Sequence, residues 1–216
     1  MKKKLASTMV AFAVATVAFA VPAAAQGSRT DPDSPTVGDH TLTLTDGEQR
    51  ELNVLDPVNL TEPFELAQPD GRIKKVSATS VDGVQIESGG NASKFAAGGA
   101  APLASTWHTW AAPGDGNWHT SVNGKAIGGS SSAYQAGYKV TIDTNALSGA
   151  CVKVKGFKQL TTPAGKKYYD SFWKSIGCAG PGGEVTGTVQ WGSVLAYEQI
   201  QVKSESYLIG SAGMFQ

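Results

Sequence analysis

Two clusters of tryptophan and histidine are the residues best suited to chemistry in this chain. Trp107-His108-Thr109-Trp110 is echoed by Trp118-His119-Thr120, with Ala111-Ala112-Pro113-Gly114-Asp115-Gly116-Asn117 between them. The segment holds three of the five tryptophans and two of the three histidines. Exposed indole rings stack on the apolar faces of sugars and other planar groups, and His, Asp115 and Asn117 add polar contacts. Trp107, His108, Trp110, Asp115, Asn117, Trp118 and His119 are therefore the candidate ligand-binding residues. Two other readings compete. The tryptophans pack in a core while the histidines lie at the surface, or His108 and His119 begin a metal or hydrolytic site. The metal reading needs further ligands from elsewhere, with Asp115, His40 and Glu87 as candidates.

The linker is rich in turn formers, so the segment reads as a β-hairpin. Its register decides its meaning. If opposite positions sum to 227, His108 faces His119 and the indoles of Trp107 and Trp118 share the other side. If they sum to 228, Trp110 faces Trp118 and the histidines separate.

The remaining chemistry is sparse. No GxSxG, HExxH or phosphate-cradling glycine loop is present, and no motif implies a cofactor or names a catalytic residue. Asp46, Asp56, Asp70, Asp82 and Asp115 each sit beside Gly or Pro, where Asp is a turn residue before it is a catalyst. Cys151 and Cys178 are the two cysteines. With no CxxC spacing, they are expected to form one disulfide outside a reducing compartment.

Alternating strands must position these residues. Thr41–Thr45 and Arg50–Leu55 alternate with period two around Asp46-Gly47. Ile73–Thr79 and Gly83–Glu87 form a second pair around Val81-Asp82-Gly83. Tyr138–Thr144, Val185–Trp191 and Ala196–Lys203 alternate as well, the last two separated by Gly192-Ser193. If Cys151 lies opposite Cys178, facing positions sum to 329 and the turn falls at Thr162–Lys166. That register pairs Phe157 with Phe172 and Gly156 with Trp173, but sets Lys155 against Lys174. A helix from Pro163, with Tyr169, Phe172, Trp173 and Ile176 on one face, is the rival reading. Residues 88–104 are nearly all Gly, Ala and Ser, either a tightly packed loop or a mobile, membrane-active hairpin.

These signals describe an all-β protein, a single-domain antiparallel β-sandwich or barrel with one disulfide. Residues 1–25 read as a signal peptide: Lys2–Lys4, an apolar run to Val21, Pro22, then Ala23-Ala24-Ala25. No permanent membrane anchor is expected. Residues 26–39 read as a flexible lead-in, and 40–216 as the β-rich domain. Removing the leader's three lysines from 18 basic residues leaves 15 against 18 acidic ones, a net charge of −3. That balance disfavours nucleic acid, which demands a basic face. The combined expectation is a secreted, non-enzymatic module binding a glycan or another cell-envelope ligand. A hydrolase using His108 and His119 and a membrane-active protein using 88–104 are the alternatives. The exported protein should begin at Gln26. Intact-mass measurement and N-terminal sequencing of secreted material check this, and a start more than about three residues away contradicts the cleavage reading.

Overall fold

The computed structural model describes residues 38–86 and 107–216. Every regular element among them is a strand. In chain order these are β1 (Gly38–Leu44), β2 (Gln49–Val54), β3 (Phe64–Ala67), β4 (Ile73–Val76), β5 (Ala78–Val81), β6 (Val84–Gln85), β7 (His108–Ala112) and β8 (His119–Thr120). They continue with β9 (Ala126–Gly128), β10 (Gln135–Ile142), β11 (Ala150–Thr161), β12 (Lys167–Ala179), β13 (Glu184–Gln190), β14 (Val194–Tyr197), β15 (Ile200–Ser204) and β16 (Ser211–Phe215). An eight-stranded sheet runs β4-β3-β9-β14-β2-β1-β5-β6. Two four-stranded sheets run β13-β10-β16-β7 and β12-β11-β15-β8. The all-β expectation with one disulfide holds, with one correction to the pairing. Most ladders are antiparallel, but β14 pairs β2 and β3 pairs β9 in parallel.

The alternation of apolar residues explains the layers. On β1, Leu42 and Leu44 are buried; on β2, Leu52 and Val54 are. With Phe64, Leu66 and Leu195 they make one apolar cluster under the large sheet. A second cluster lies between the two smaller sheets, built on Tyr138, Val140, Val154, Phe157, Trp191 and Phe215. Trp191 joins them to the large sheet. Its indole N–H lies 3.2 Å from the carbonyls of both Ile127 and Val194, and Phe157 meets its ring edge-on at 4.9 Å.

Several sequence boundaries shift. The lead-in assigned to 26–39 overlaps β1, because Gly38 and Asp39 already pair with Val54 and Asn53. Ile73–Thr79 is two strands, β4 on β3 and β5 on β1. Ala196–Lys203 is also two, since the chain leaves the large sheet at Glu198-Gln199 and enters another as β15. Segment 88–104 lies outside the described residues, as do Glu87 and the leader.

The disulfide hairpin forms and the rival helix does not. Cys151 faces Cys178 and the two are bonded. Closing a loop of this length removes about 3–4 kcal/mol of unfolded-chain entropy in the simplest account. Its register differs from the expected one beyond the first turn of pairing. A bulge between Val152 and Lys153 leaves Ile176 without a partner, beside Gly177 at φ 127°. Past it, Lys155 faces Trp173 rather than Lys174, and Phe172 faces Gly156 rather than Phe157. The slip removes the like-charge pair that counted against the hairpin.

Glu198 sits where the chain changes sheets. It is fully buried, and neither carboxyl oxygen has a hydrogen-bond partner. Burial pushes its pKa from 4.5 up to about 8, with Lys125 pulling down and Glu65 pushing up. A carboxyl raised in this way keeps its proton in the folded protein after the unfolded chain has lost it. Its contribution is complete below pH 4.5 and is lost as pH rises to about 8. Stability should therefore fall across that window by about 1.4 kcal/mol per pH unit from this group. Urea titrations of the protein and of Glu198→Gln, run side by side across the window, check this; identical pH slopes would contradict it.

Candidate functional site

The tryptophan–histidine segment does not close on itself. β7 pairs with β16, setting His108 against Phe215 and Trp110 against Gly213. β8 pairs with β15, setting His119 against Val202. The two echoes thus lie on edge strands of different sheets, and neither the 227 nor the 228 register exists. The glycines that signal a turn serve close approach instead. A Cβ on Gly114 would fall 2.2 Å from the Ile209 nitrogen, and one on Gly116, at φ 74°, 2.3 Å from the Tyr207 ring.

The seven residues consequently separate. Trp110 is 5% exposed and belongs to the core between the smaller sheets. His108 is half-buried against the Phe215 ring at 5.5 Å, and burial, then Lys125, lowers its pKa. Trp107 is half-buried immediately before β7. Trp118 is half-buried beneath two ammonium groups, Lys153 at 4.1 Å and Lys203 at 5.3 Å from the ring centre. His119 pairs with Asp115 at 2.9 Å. That contact, with the Asn117 backbone N–H, lowers the Asp115 pKa to about 2. Asn117 is exposed in the same turn. No row of three exposed indoles results, because Trp110 is buried in the core and Trp118 is packed against two lysine ammonium groups.

Among the described residues the metal candidates bring together only His119 and Asp115, without a third ligand atom. His40 binds Asp82 at 2.7 Å, far along the chain from the tryptophan–histidine segment. Among the described residues one group places three potential ligand atoms together, Cys151, Cys178 and Glu205. Both its sulfurs are spent in the disulfide.

A cleft elsewhere gathers more polar groups than any part of that segment. It encloses about 520 Å³ between the β1–β2 ribbon and the outer half of the β11–β12 hairpin. The ribbon contributes Asp39, Thr41, Glu51 and Asn53. Asp39 lies directly across from Asn53, and Thr41 across from Glu51, so all four share one face while Leu42 and Leu52 anchor the other in the core. The hairpin contributes Gln159, Lys167 and Tyr169. Gln159 faces Tyr169 across the ladder, with Lys167 two residues along β12 on the same side. Ser132 and Ser193 complete the lining.

Two contacts hold this cleft open and shaped. Asn53 is 8% exposed and donates its side-chain N–H to Asp39 Oδ1 at 2.6 Å, leaving its own carbonyl oxygen without a partner. The Tyr169 hydroxyl accepts the Ser193 backbone N–H at 3.2 Å and latches the hairpin to the large sheet. Its ring lies against Gly192, where a Cβ would come within 2.5 Å and where φ is 79°. A shallower recess of about 470 Å³ includes Lys125 and Lys139, but Glu65 and Glu184 already neutralise both. Sequence reading passed over the cleft because its residues come from four separate stretches with no motif. The one local clue was the exposed polar face of the Thr41–Thr45 and Arg50–Leu55 pair.

No protein-family model matches the sequence, and no curated protein matches it. Among solved structures, one similar chain comprises the N-terminal CBM22-1–GH10 modules of endo-1,4-beta-D-xylanase 10B from Clostridium thermocellum, complexed with xylohexaose. The likeness covers 51% of this chain and 24% of that one, at 12% identity and a TM-score of 0.24. This chain spans about a quarter of that protein's length, and a likeness at that level carries no argument about ligand or activity.

The placement of the tryptophans predicts a split response to truncation. Trp110→Ala should cost about 3–5 kcal/mol, as for a buried large aromatic. Trp118→Ala should cost no more than about 1.5 kcal/mol, the worth of its exposed cation contacts and half-burial. Denaturant unfolding of the two variants checks the difference, and equal losses would contradict the assigned burial.

Proposed function

We propose that this chain is an exported, non-catalytic binding module whose ligand is a glycan seated in the cleft between the β1–β2 ribbon and the β11–β12 hairpin. The observation that carries the reading is the convergence of carboxylate, amide, hydroxyl and ammonium groups on one preformed space of about 520 Å³. A ligand for such a space must offer many hydrogen-bonding groups of both kinds at close spacing, which is the chemistry of a polyhydroxylated chain. Asp39 and Glu51 accept from ligand hydroxyls; Lys167 donates; Gln159, Ser132 and Ser193 do either. The volume lies within the usual range for small-ligand sites, about 300–1,000 Å³.

Preorganisation supports binding. Asn53 holds Asp39, and the Tyr169 hydroxyl holds the hairpin wall, so little ordering remains when the ligand enters. Export is supported by the Lys2–Ala25 leader pattern and by a disulfide suited to an oxidising compartment. No helix among the described residues is long and apolar enough to cross a membrane.

Binding to soluble and insoluble polysaccharides, with released reducing sugar measured in the same samples, tests the reading. Retention without sugar release is expected. Gln159→Ala and Lys167→Ala, both exposed positions, should each weaken retention by about tenfold, the value of one good polar contact to a ligand. Their thermal unfolding should not change. Retention that survives both changes and disappears in Trp118→Ala would move the ligand to the tryptophan turn. Release of reducing sugar would replace the binding module with a hydrolase.

A further inference from the structure

We propose that the cleft takes a glycan bearing ammonium groups, an amino sugar, in preference to neutral chains, and turns away chains of uronic acids. The inference rests on reading the cleft as a glycan site and names the class of glycan.

Charge is left uncompensated at the ribbon wall. Asp39 pairs across the ladder with Asn53, and Glu51 with Thr41, so the two carboxylates are diagonal neighbours on the face that lines the cleft. At that spacing, roughly 7–8 Å between backbones, both reach one ligand residue or two adjacent ones. Neither carboxylate meets a lysine or arginine among the described residues. The contrast within the same sheet is sharp. Asp46 and Glu48 meet Lys74, Glu48 also meets Arg50, and Glu65 meets Lys125. Just beyond β2, Asp56 meets Lys155. Those neighbours are neutralised locally; Glu62, Asp143, Asp170 and Glu205 also meet no lysine or arginine among the described residues, but Asp39 and Glu51 are the two such carboxylates that line the cleft.

The geometry argues that the pair is held for that purpose. Asn53, nine-tenths buried, donates to Asp39 Oδ1 and holds that carboxylate in the lining, while its own buried carbonyl oxygen in the same lining has no partner. The backbone N–H of Asn53 is itself fixed by the Ser193 carbonyl at 2.9 Å, tying the ribbon wall to the strand that meets the hairpin latch. Across the cleft Lys167 is the one lysine or arginine in the lining. His40 also lines the space, but its ring is held by Asp82 at 2.7 Å, so two unpaired carboxylates on one wall face one lysine ammonium on the other. An ammonium beside a ring hydroxyl satisfies Asp39 and Glu51 as donor and as charge together. A uronate brings a third carboxylate to the same wall.

The test uses tetramers of one length: glucosamine, N-acetylglucosamine, glucose and galacturonate. Calorimetric titration is run with a chelator present, so that no divalent cation bridges the carboxylates, and at a pH where the amine is protonated. The glucosamine tetramer is expected to bind at least about tenfold tighter than the glucose and N-acetylglucosamine tetramers at low salt, the value of one charge-assisted hydrogen bond. That advantage should shrink as salt rises. Galacturonate should bind weakest. In Asp39→Asn and Glu51→Gln, each confirmed as folded by thermal unfolding, the gap between the amine and neutral tetramers should narrow. Equal affinity for the amine and neutral tetramers, or tightest binding of galacturonate, overturns the ammonium preference while leaving a glycan site in place. An amine preference that persists undiminished in both variants overturns the assignment to Asp39 and Glu51. Failure of every tetramer to bind overturns the glycan reading itself, and this inference with it.

Discussion

Lys155 is the point at which the three sheets meet. It stands on β11 and is 8% exposed, and its ammonium reaches Asp56 at 3.1 Å and Gln199 at 3.1 Å. Asp56 follows β2 in the large sheet and also accepts the Tyr197 backbone N–H of β14 at 2.9 Å. From the third sheet, the Tyr138 hydroxyl donates to the Lys155 carbonyl at 3.0 Å. A largely buried charge of this kind does not add much stability by existing. It enforces geometry, because any arrangement that separates Lys155 from Asp56 strands a charge away from water. The Trp191 indole does the same in apolar form a short distance away, touching carbonyls of β9 and β14 while Phe157 of β11 packs on its ring.

That constraint reaches the cleft through the β11–β12 ladder. β11 is pinned at Lys155, and the bulge between Val152 and Lys153 decides which residues of β12 face which side. Were Ile176 paired with Lys153 instead of bulged, Tyr169 would pair with Leu160 and Asp170 with Gln159. A one-residue slip turns every later side chain to the opposite face. The Tyr169 hydroxyl would then point away from Ser193, and Lys167 away from Asp39 and Glu51. The bulge therefore sets both the shape of the cleft and the charges on its hairpin wall.

Polar groups without partners are distributed unevenly around this frame. Glu198, Trp110 and His108 carry unpaired buried atoms in or beside the core of the smaller sheets. Those atoms cost stability, and in Glu198 the cost is met by keeping the carboxyl protonated until the pH approaches about 8. Asn53 is different, since its committed N–H positions an exposed carboxylate at the rim of a cavity. Strain is similarly local. Asp82 holds a left-handed φ of 50° in the turn between β5 and β6, where its carboxylate caps the Thr41 N–H and binds His40. Those two contacts, His40 first, lower its pKa.

Local physics made much of the architecture legible from residues alone. Period-two alternation marked β1, β2, β10 and β13 because each buries one face. The Thr162–Lys166 turn and the cysteine pair marked β11 and β12 because a hairpin closes locally. The strands that were merged, β4 with β5 and β14 with β15, alternate just as well across their breaks. What breaks them is a change of partner strand, within the large sheet for β4 and β5 and between sheets for β14 and β15, which leaves no trace in periodicity. The tryptophan–histidine segment fails for the same reason. Its spacing and glycines satisfy a hairpin, but β7 finds β16 and β8 finds β15, and only packing in three dimensions ranks those pairings. The cleft lay beyond sequence reading entirely. It is assembled from β1, β2, β11, β12 and two loops, and its geometry depends on one bulge and on the Lys155–Asp56 pair. Sequence alone determined which residues could be strands and which face of each was apolar. Tertiary structure decided which strands met, and thereby which carboxylates were neutralised and which were left facing an open space.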